Sequence, residues 1–457
     1  MTPQLQRRLN AFDLVLVTIS AVIGSGIFRT PAIVAQRAHL PALVLGCWIA
    51  GGAIALTGAF VFAELAARRP LGGGIYGYLK DAFHPIVGFS FAWTLMLVSG
   101  TGANAAAAVL FAEYLAPLTG ISLNPGWVAT GTLFCLAGIN ILGVRQGGNW
   151  QIAVVGLKIA AIAVLIVVCL AAPSHAVSTY AFAPFGSGGV AGAIGVAMLP
   201  VLFSYQGFQG ATYVTAEAIA PERTIPRAMI LGMTGILVIY ILANASYVHV
   251  LGVAGLAASK IPAAAAMQAA IGPFGGKFIA LAIALSTLGY LSTCMLAHPR
   301  IYYHMAADGL FFRWIAWVSP KTRVPVAAIL VQATVASAIA LSGSYERIVN
   351  WVVGPQWLFI ALAASALFVF RRRDADRPEP FARVPGHPYT TALFIAVVAA
   401  ILFAEIAIYP RDVLYGAVVL ATGVVTFYAW RHFAPRSPTS NGDSSSAPGE
   451  RAPSREK

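Results

Sequence analysis

Twelve apolar runs, each about as long as a bilayer core is thick, decide what this chain can fold into. They lie near 11–36, 41–66, 85–116, 127–143, 150–172, 189–219, 227–251, 275–303, 324–342, 346–370, 390–409 and 412–433. A helix needs roughly 20 apolar residues to cross a hydrocarbon layer of ~30 Å. Helices and closed barrels are the only structures that satisfy their backbone polar groups there. Composition agrees: 59% of the 457 residues are hydrophobic and 10% are charged, whereas soluble domains carry about 25% charged residues. Mean hydropathy is +0.78. A soluble core of this size cannot hide so much apolar surface, so the solvent is lipid. The expected fold class is an all-α integral membrane protein with twelve transmembrane helices. Only Pro410 and Arg411 separate the last two runs, which predicts a tight hairpin.

The formal net charge of +13 would suggest nucleic acid in a soluble protein. Here the charges sit in short clusters between apolar runs, the pattern of membrane loops, with no interleaved basic and aromatic surface. Nucleic acid is therefore not an expected partner, and the bilayer is. With the N-terminus inside, the inner loops hold Arg7, Arg8, Arg68, Arg69, Lys80, Arg145, Arg223, Arg227, Arg313, Lys321, Arg323, Arg371, Arg372, Arg373, Arg377 and Arg383. The outer loops hold mainly Arg37, Lys260, Lys277, Arg347 and Arg411. This bias predicts both termini in the cytoplasm and residence in the inner membrane. Residues 1–10 form a short cytoplasmic segment without an evident cleavable signal. The tail 434–457 is rich in Ser, Pro and Gly and is expected to be disordered. Cys47, Cys135, Cys169 and Cys294 all fall inside apolar runs without metal-ligand spacing, so they read as free thiols. No metal or other cofactor is implied.

Two runs carry breaks at mid-membrane. The first contains Ala21-Val22-Ile23-Gly24-Ser25-Gly26-Ile27-Phe28, followed by Pro31; the sixth contains Phe203-Ser204-Tyr205-Gln206-Gly207-Phe208-Gln209-Gly210. Unwound backbone is tolerated inside a membrane only where it lines a cavity or is buried in protein. It exposes amides at one half-helix end and carbonyls at the other. Amides suit a carboxylate and carbonyls suit an ammonium, and an α-amino acid carries both groups a few ångströms apart. Glycines also serve simply for close helix packing. Two clusters five spans apart point instead to inverted repeats around a central site. Spans 1–5 (11–173) and 6–10 (185–370) would be the halves, with spans 11 and 12 (388–433) appended.

At this point the residues resemble a known group, the amino acid–polyamine–organocation superfamily, and within it the L-type amino acid transporter branch with its bacterial relatives. Four pieces carry the resemblance in order: Gly24-Ser25-Gly26-Ile27-Phe28 with Pro31; Pro70-Leu71-Gly72-Gly73-Gly74-Ile75-Tyr76-Gly77-Tyr78; Thr215-Ala216-Glu217 with Pro221 and Pro226; and Arg300-Ile301-Tyr302-Tyr303-His304-Met305-Ala306-Ala307-Asp308-Gly309 with Pro320 and Pro325. The resemblance covers roughly 10–433. It implies a LeuT-type five-plus-five inverted repeat with helices 1 and 6 broken. It also implies that the substrate carboxylate meets the amides of Ser25, Gly26 and Ile27. The ammonium would meet carbonyls of Val22, Ile23, Phe203, Ser204 and Gln206, with the Phe203 ring closing over the substrate. Gln206 and Gln209 depart from the glycine and asparagine of the L-type pattern, and both are candidate substrate contacts. Eukaryotic L-type carriers are linked to a single-span glycoprotein through a cysteine between spans 3 and 4. The corresponding loop here, 117–126, has none, so no disulfide-linked subunit is expected.

Lys158 lies in the fifth run with apolar neighbours, in Gly156-Leu157-Lys158-Ile159-Ala160. A lysine at depth costs about 2.5–3.5 kcal/mol on insertion scales and is a functional candidate by default; the alternative is snorkelling to the interface. In resembling transporters a lysine here fills the place of a bound sodium, with its ammonium on carbonyls of span 1 and on a hydroxyl of span 8, Ser286 or Thr287. Arg29 follows the first break and is a candidate gate or an ion-pair partner of Glu113. Glu64 and Glu217 lie beside Arg68 and Arg223 as inner-gate or helix-end pairs. His298 and His304 read as interfacial. Asn104, Tyr290 and Trp357 are candidates for the pocket wall, and Glu405 has no assigned role.

The isolated deep polar residues supply no nucleophile–base pair and no paired carboxylates, so an intramembrane enzyme is not expected. Two matched broken halves favour alternating access over a channel. The expected function is sodium-independent transport of neutral L-amino acids, by exchange or facilitated movement. The alternative is a proton-coupled permease of broader or cationic specificity; no Asp or Glu stands near either break to anchor a cationic side chain.

Overall fold

A computed structural model describes residues 9–70, 73–120, 124–142, 148–174, 189–322, 324–343, 345–408 and 410–433. The expectations for residues 1–8, for Leu71, Gly72, Arg145 and Arg323, and for the tail 434–457 lie outside these residues, as do the side chains of Ala216 and Glu217. Among the described residues every regular element is helical; the one β-bridge pairs Leu9 with Ala218.

The chain's own caps set many helix starts. α1 (Ala11–Val22) opens on a capping box: the Asn10 side chain accepts from the amides of Phe12 at 2.8 Å and Asp13 at 3.1 Å, and Asp13 accepts from the Asn10 amide at 3.0 Å. Proline stands at the first helical position of α3 (Pro41–Arg68), where its missing N–H is no loss. The same holds for α5 (Pro85–Thr94), α7 (Pro125–Ile141) and α10 (Pro221–Ala258).

Between these lie α2 (Gly26–Ala38), α4 (Ile75–Ala82), α6 (Gly100–Thr119), α8 (Gly148–Ala171) and α9 (Gly189–Tyr205). A π-helical turn, Leu95–Ser99, joins α5 to α6, so the two make one long span. The chain continues through α11 (Pro262–Ile271), α12 (Pro273–Ala307), α13 (Val326–Ser342), α14 (Tyr345–Arg373), α15 (Tyr389–Ile408) and α16 (Pro410–Phe433).

Among the described residues eight helical stretches are long and apolar enough to cross a bilayer, and α1 with α2 makes a ninth when taken as one span bent by 41°. The remaining three expected spans fall on shorter apolar stretches: Pro125–Ile141, Val155–Ala171 and Val326–Ser342. At 1.5 Å per residue a 17-residue helix reaches only about 25 Å, which is why Pro125–Ile141 and Val326–Ser342 fall below the length of a full span, whereas α8 as a whole, Gly148–Ala171, has 24 residues. Two helices, α4 and α11, lie where no span was expected, because each is too short to register as an apolar run. α10 lies along α1 and α3, and α2 lies on α9, so the two broken spans pack against each other. Cys47, Cys169 and Cys294 are buried free thiols and Cys135 is an exposed one.

Candidate functional site

The two breaks meet. α1 ends at Val22, Ile23 to Ser25 are non-helical, and α2 begins at Gly26. α9 ends at Tyr205, Gly207 takes φ +105°, and a 3-10 helix runs from Phe208 to Glu217. Gly207 needs its glycine twice: the left-handed φ disfavours any side chain, and a Cβ would run into the Ala21 carbonyl. The complementary approach is at Gly26, where a Cβ would lie 2.6 Å from Ser204 Cα. The Ser204 hydroxyl hydrogen-bonds Thr30 Oγ1 at 2.5 Å, and Thr30 in turn donates to the Gly26 carbonyl at 2.7 Å. Across the gap, the Tyr240 hydroxyl of α10 lies 3.2 Å from the Val22 carbonyl and 3.1 Å from the Ser204 carbonyl. One hydroxyl proton is shared between the two breaks. Nothing in the sequence marked Tyr240, one of 16 tyrosines, in an ordinary apolar run.

Lys158 is 1% exposed. Its ammonium donates to the Ile23 carbonyl at 2.6 Å. The expected hydroxyl contact with span 8 is not made: Thr287 donates to the Ile283 carbonyl of its own helix, and Ser286 Oγ is buried without a hydrogen-bond partner. A threonine inside a helix commonly turns back on the preceding turn in this way. From the same helix, the Tyr290 ring lies over Gly24, 3.2 Å from where a Cβ would stand.

The remaining expected site residues fall around this centre. Ser25 gives α2 no side-chain cap, so the amides of Ser25, Gly26 and Ile27 sit at a buried, uncapped helix start. Of the carbonyls expected to meet an ammonium, Val22 already accepts from the Gly24 amide and Tyr240, Ile23 from Lys158, Phe203 from the Gln206 amide and Ser204 from Tyr240. Val22 thus uses both of its lone pairs, and Ile23, Phe203 and Ser204 each keep a second. The Phe203 ring meets Tyr345 edge-on at 6.3 Å, and the Arg29 guanidinium stands 6.0 Å from the same Tyr345 ring. Arg29 also donates to the Lys260 carbonyl at 2.6 Å, which ties α2 to the turn after α10.

Gln209 is 3% exposed, and its Oε1 has no hydrogen-bond partner; neither does the buried Nε2 of Gln206. Asn104 is buried with Nδ2 on Met295 Sδ at 3.9 Å, and Trp357 packs on Phe208 and Phe394. Glu405 is 3% exposed and lies against Gly354 of α14. Nothing here places it at the breaks.

A family model described as amino acid permease matches residues 9–430. The chain belongs to the amino acid permease family. The b(0,+)-type amino acid transporter 1 of Rattus norvegicus is 26% identical over 441 residues, covering 94% of this chain and 89% of the relative. The serine/threonine exchanger SteT of Bacillus subtilis (strain 168) is 29% identical over 402 residues, 84% of this chain and 87% of the relative. The large neutral amino acids transporter small subunit 2 of Homo sapiens is 27% identical over 430 residues, 91% and 79% respectively. These relatives are named as transporters and an exchanger, so this permease is a multi-pass membrane transport protein and not an enzyme.

At the arginine-rich end of the permease the carboxylates are paired. Glu64 of α3 is fully buried and accepts from Arg68 Nε at 2.8 Å, from Arg371 at 2.8 and 2.7 Å, and from the Val384 amide at 2.8 Å. The i,i+4 pair with Arg68 was legible in the sequence, and the forked bond to Arg371 was not. Beside it, Asp374 accepts both Nη atoms of Arg69 at 2.9 and 2.8 Å. Burial alone would raise the Asp374 carboxyl; the Arg69 hydrogen bonds, with the charges of Arg69, Arg377 and Arg68, hold it below the usual carboxylate range. Asp308 accepts from Tyr76 and from Lys80 at 2.5 and 2.6 Å, joining α4 to the end of α12. A cavity of about 690 Å³ opens here, lined by Arg68, Arg69, Tyr76, Lys80, His304 and Asp308 among others.

Proposed function

We propose that this permease carries neutral L-amino acids across the inner membrane by alternating access, without sodium, by exchange or facilitated movement. The observation that carries the reading is the meeting of the two breaks around the uncapped start of α2. Unpaired amides at a buried helix N-terminus favour a carboxylate. The neighbouring carbonyls of Ile23, Ser204 and Gln206 offer lone pairs to an ammonium. Together they suit the groups common to every α-amino acid.

The reading takes twelve spans, two of them short, arranged as two inverted halves, 11–173 and 185–370, with 388–433 appended. The basic end faces the cytoplasm, as do both termini. Lys158 stands in for sodium: a fixed ammonium on the Ile23 carbonyl supplies the positive charge a bound cation would otherwise bring. Glu217 remains a candidate gate residue on the strength of the sequence alone. The family's named substrates include neutral amino acids, and no acidic residue lies between Phe203 and Thr215 to hold a cationic side chain. The loop 117–126 has no cysteine, so the chain works without a disulfide-linked subunit.

Purified protein in liposomes, loaded or not with unlabelled amino acid, tests the reading. Labelled neutral amino acids should enter faster against internal substrate, equally in sodium and potassium buffers. Uptake that requires sodium, or none of any amino acid, would overturn it.

A further inference from the structure

Gln206 and Gln209 lie on either side of a close approach of the two breaks. Gly207, between them, lies against the Ala21 carbonyl, and Gly210 lies against the Ala21 side chain. Both glutamines carry a sealed polar atom that no protein group satisfies: Nε2 of Gln206, a donor, and Oε1 of Gln209, an acceptor. Buried polar groups are nearly always hydrogen-bonded, and leaving one unpaired is costly. A donor and an acceptor left unpaired three residues apart, beside the place where the amino and carboxyl groups dock, call for a ligand that completes both.

We infer that Gln206 and Gln209 read the substrate's side chain, and that the preferred substrate is an uncharged amino acid whose side chain both donates and accepts hydrogen bonds, a hydroxyl or a carboxamide. This rests on the amino acid transport reading above. The chemistry separates the classes. An aliphatic side chain satisfies neither glutamine. A carboxylate has no proton for Gln209 Oε1. An ammonium has no acceptor for Gln206 Nε2 and meets no carboxylate in Phe203–Thr215. A hydroxyl or carboxamide supplies one of each. A site built around such bonds rejects an analogue that lacks them far more strongly than an apolar pocket rejects one extra group.

The test compares pairs of near-equal size on the full-length protein, by counterflow in liposomes and by thermal stabilisation in detergent. Serine is set against alanine, and asparagine against leucine. Wild type should favour the polar member of each pair by about tenfold to a hundredfold, the scale of one or two buried hydrogen bonds. The double variant Gln206→Met, Gln209→Met keeps side-chain length and removes the polar atoms; its polar-to-apolar ratio should fall at least tenfold.

Alanine equal to or better than serine in wild type overturns the inference while leaving amino acid transport intact. So does an unchanged ratio in the double variant. A double variant that does not fold leaves the wild-type pairs to decide. Absence of uptake and of stabilisation by every amino acid overturns the transport reading and the inference with it.

Discussion

The Lys158 ammonium and the Ile23 carbonyl, 135 residues apart in sequence, meet at 2.6 Å inside the break of the first span. The carbonyl is free to accept because the helix stops there, and the lysine is tolerated because the carbonyl is there. Each explains the other: an unpaired ammonium at this depth and an unpaired carbonyl at this depth are both costly. Lys158→Ala removes the donor and leaves the Ile23 carbonyl unpaired, which costs roughly 1–3 kcal/mol. The expected result is protein that inserts and purifies with uptake reduced at least tenfold. Near-normal uptake by this variant would show that the lysine does not hold the break.

Tyr240 has the same logic with a different consequence. Its hydroxyl touches one carbonyl from each broken span, so Tyr240→Phe removes a bond that both breaks share. A shift of roughly 1–3 kcal/mol per unpaired group is expected, seen as lower thermal stability in detergent and slower counterflow. The ring itself stays, packed at 5.0 Å from Tyr205 and 5.7 Å from Trp48, so loss of fold is not expected. Unaltered stability and counterflow in Tyr240→Phe would mean that the bridge is dispensable.

At Gly26, α2 packs directly against Ser204 of α9. Any Cβ there meets the Ser204 backbone at 2.6 Å, and backbone cannot swing aside as a flexible side-chain tip does. Gly26→Val is expected to push the breaks apart and to abolish stabilisation by amino acids, while the protein still reaches the membrane. Wild-type affinity in a well-folded Gly26→Val protein would exclude close approach as a requirement.

The sequence disclosed what departs from its surroundings. Glycines and polar side chains in the driest part of a span, and a lysine among leucines and alanines, stand out because a bilayer penalises them. Phe203 and Ser204 were found through their neighbours in the same break. Tyr240 and Tyr76 carry hydrogen bonds just as important to the arrangement, but a tyrosine in an apolar run is unremarkable, and its partner is set only by how helices lie side by side. The same holds for Arg371, which finds Glu64 from 307 positions away. Ser286 and Thr287 failed in the opposite direction: hydroxyls were expected to reach a neighbouring helix, and Thr287 bonds its own helix instead.

The Arg69–Asp374 fork gives the arginine-rich end a defined response to acid. Asp374 has its carboxyl pKa held below the usual range, with burial opposed by the Arg69 hydrogen bonds and the surrounding arginine charges. A group depressed on folding stabilises the folded state fully above its unfolded pKa, about 3.9 for aspartate, and loses that contribution as pH falls through the folded value. Arginine stays charged throughout, so only the aspartate titrates. Removing one partner of a buried pair costs about 3–5 kcal/mol, and the Asp374 side chain is 4% exposed. Asp374→Asn should therefore lower the melting temperature by an amount that is constant from neutral pH down to about 5 and shrinks below about 4. A difference that vanishes already at pH 6 would mean that some other group, and not the Asp374 carboxylate, sets the strength of this lock.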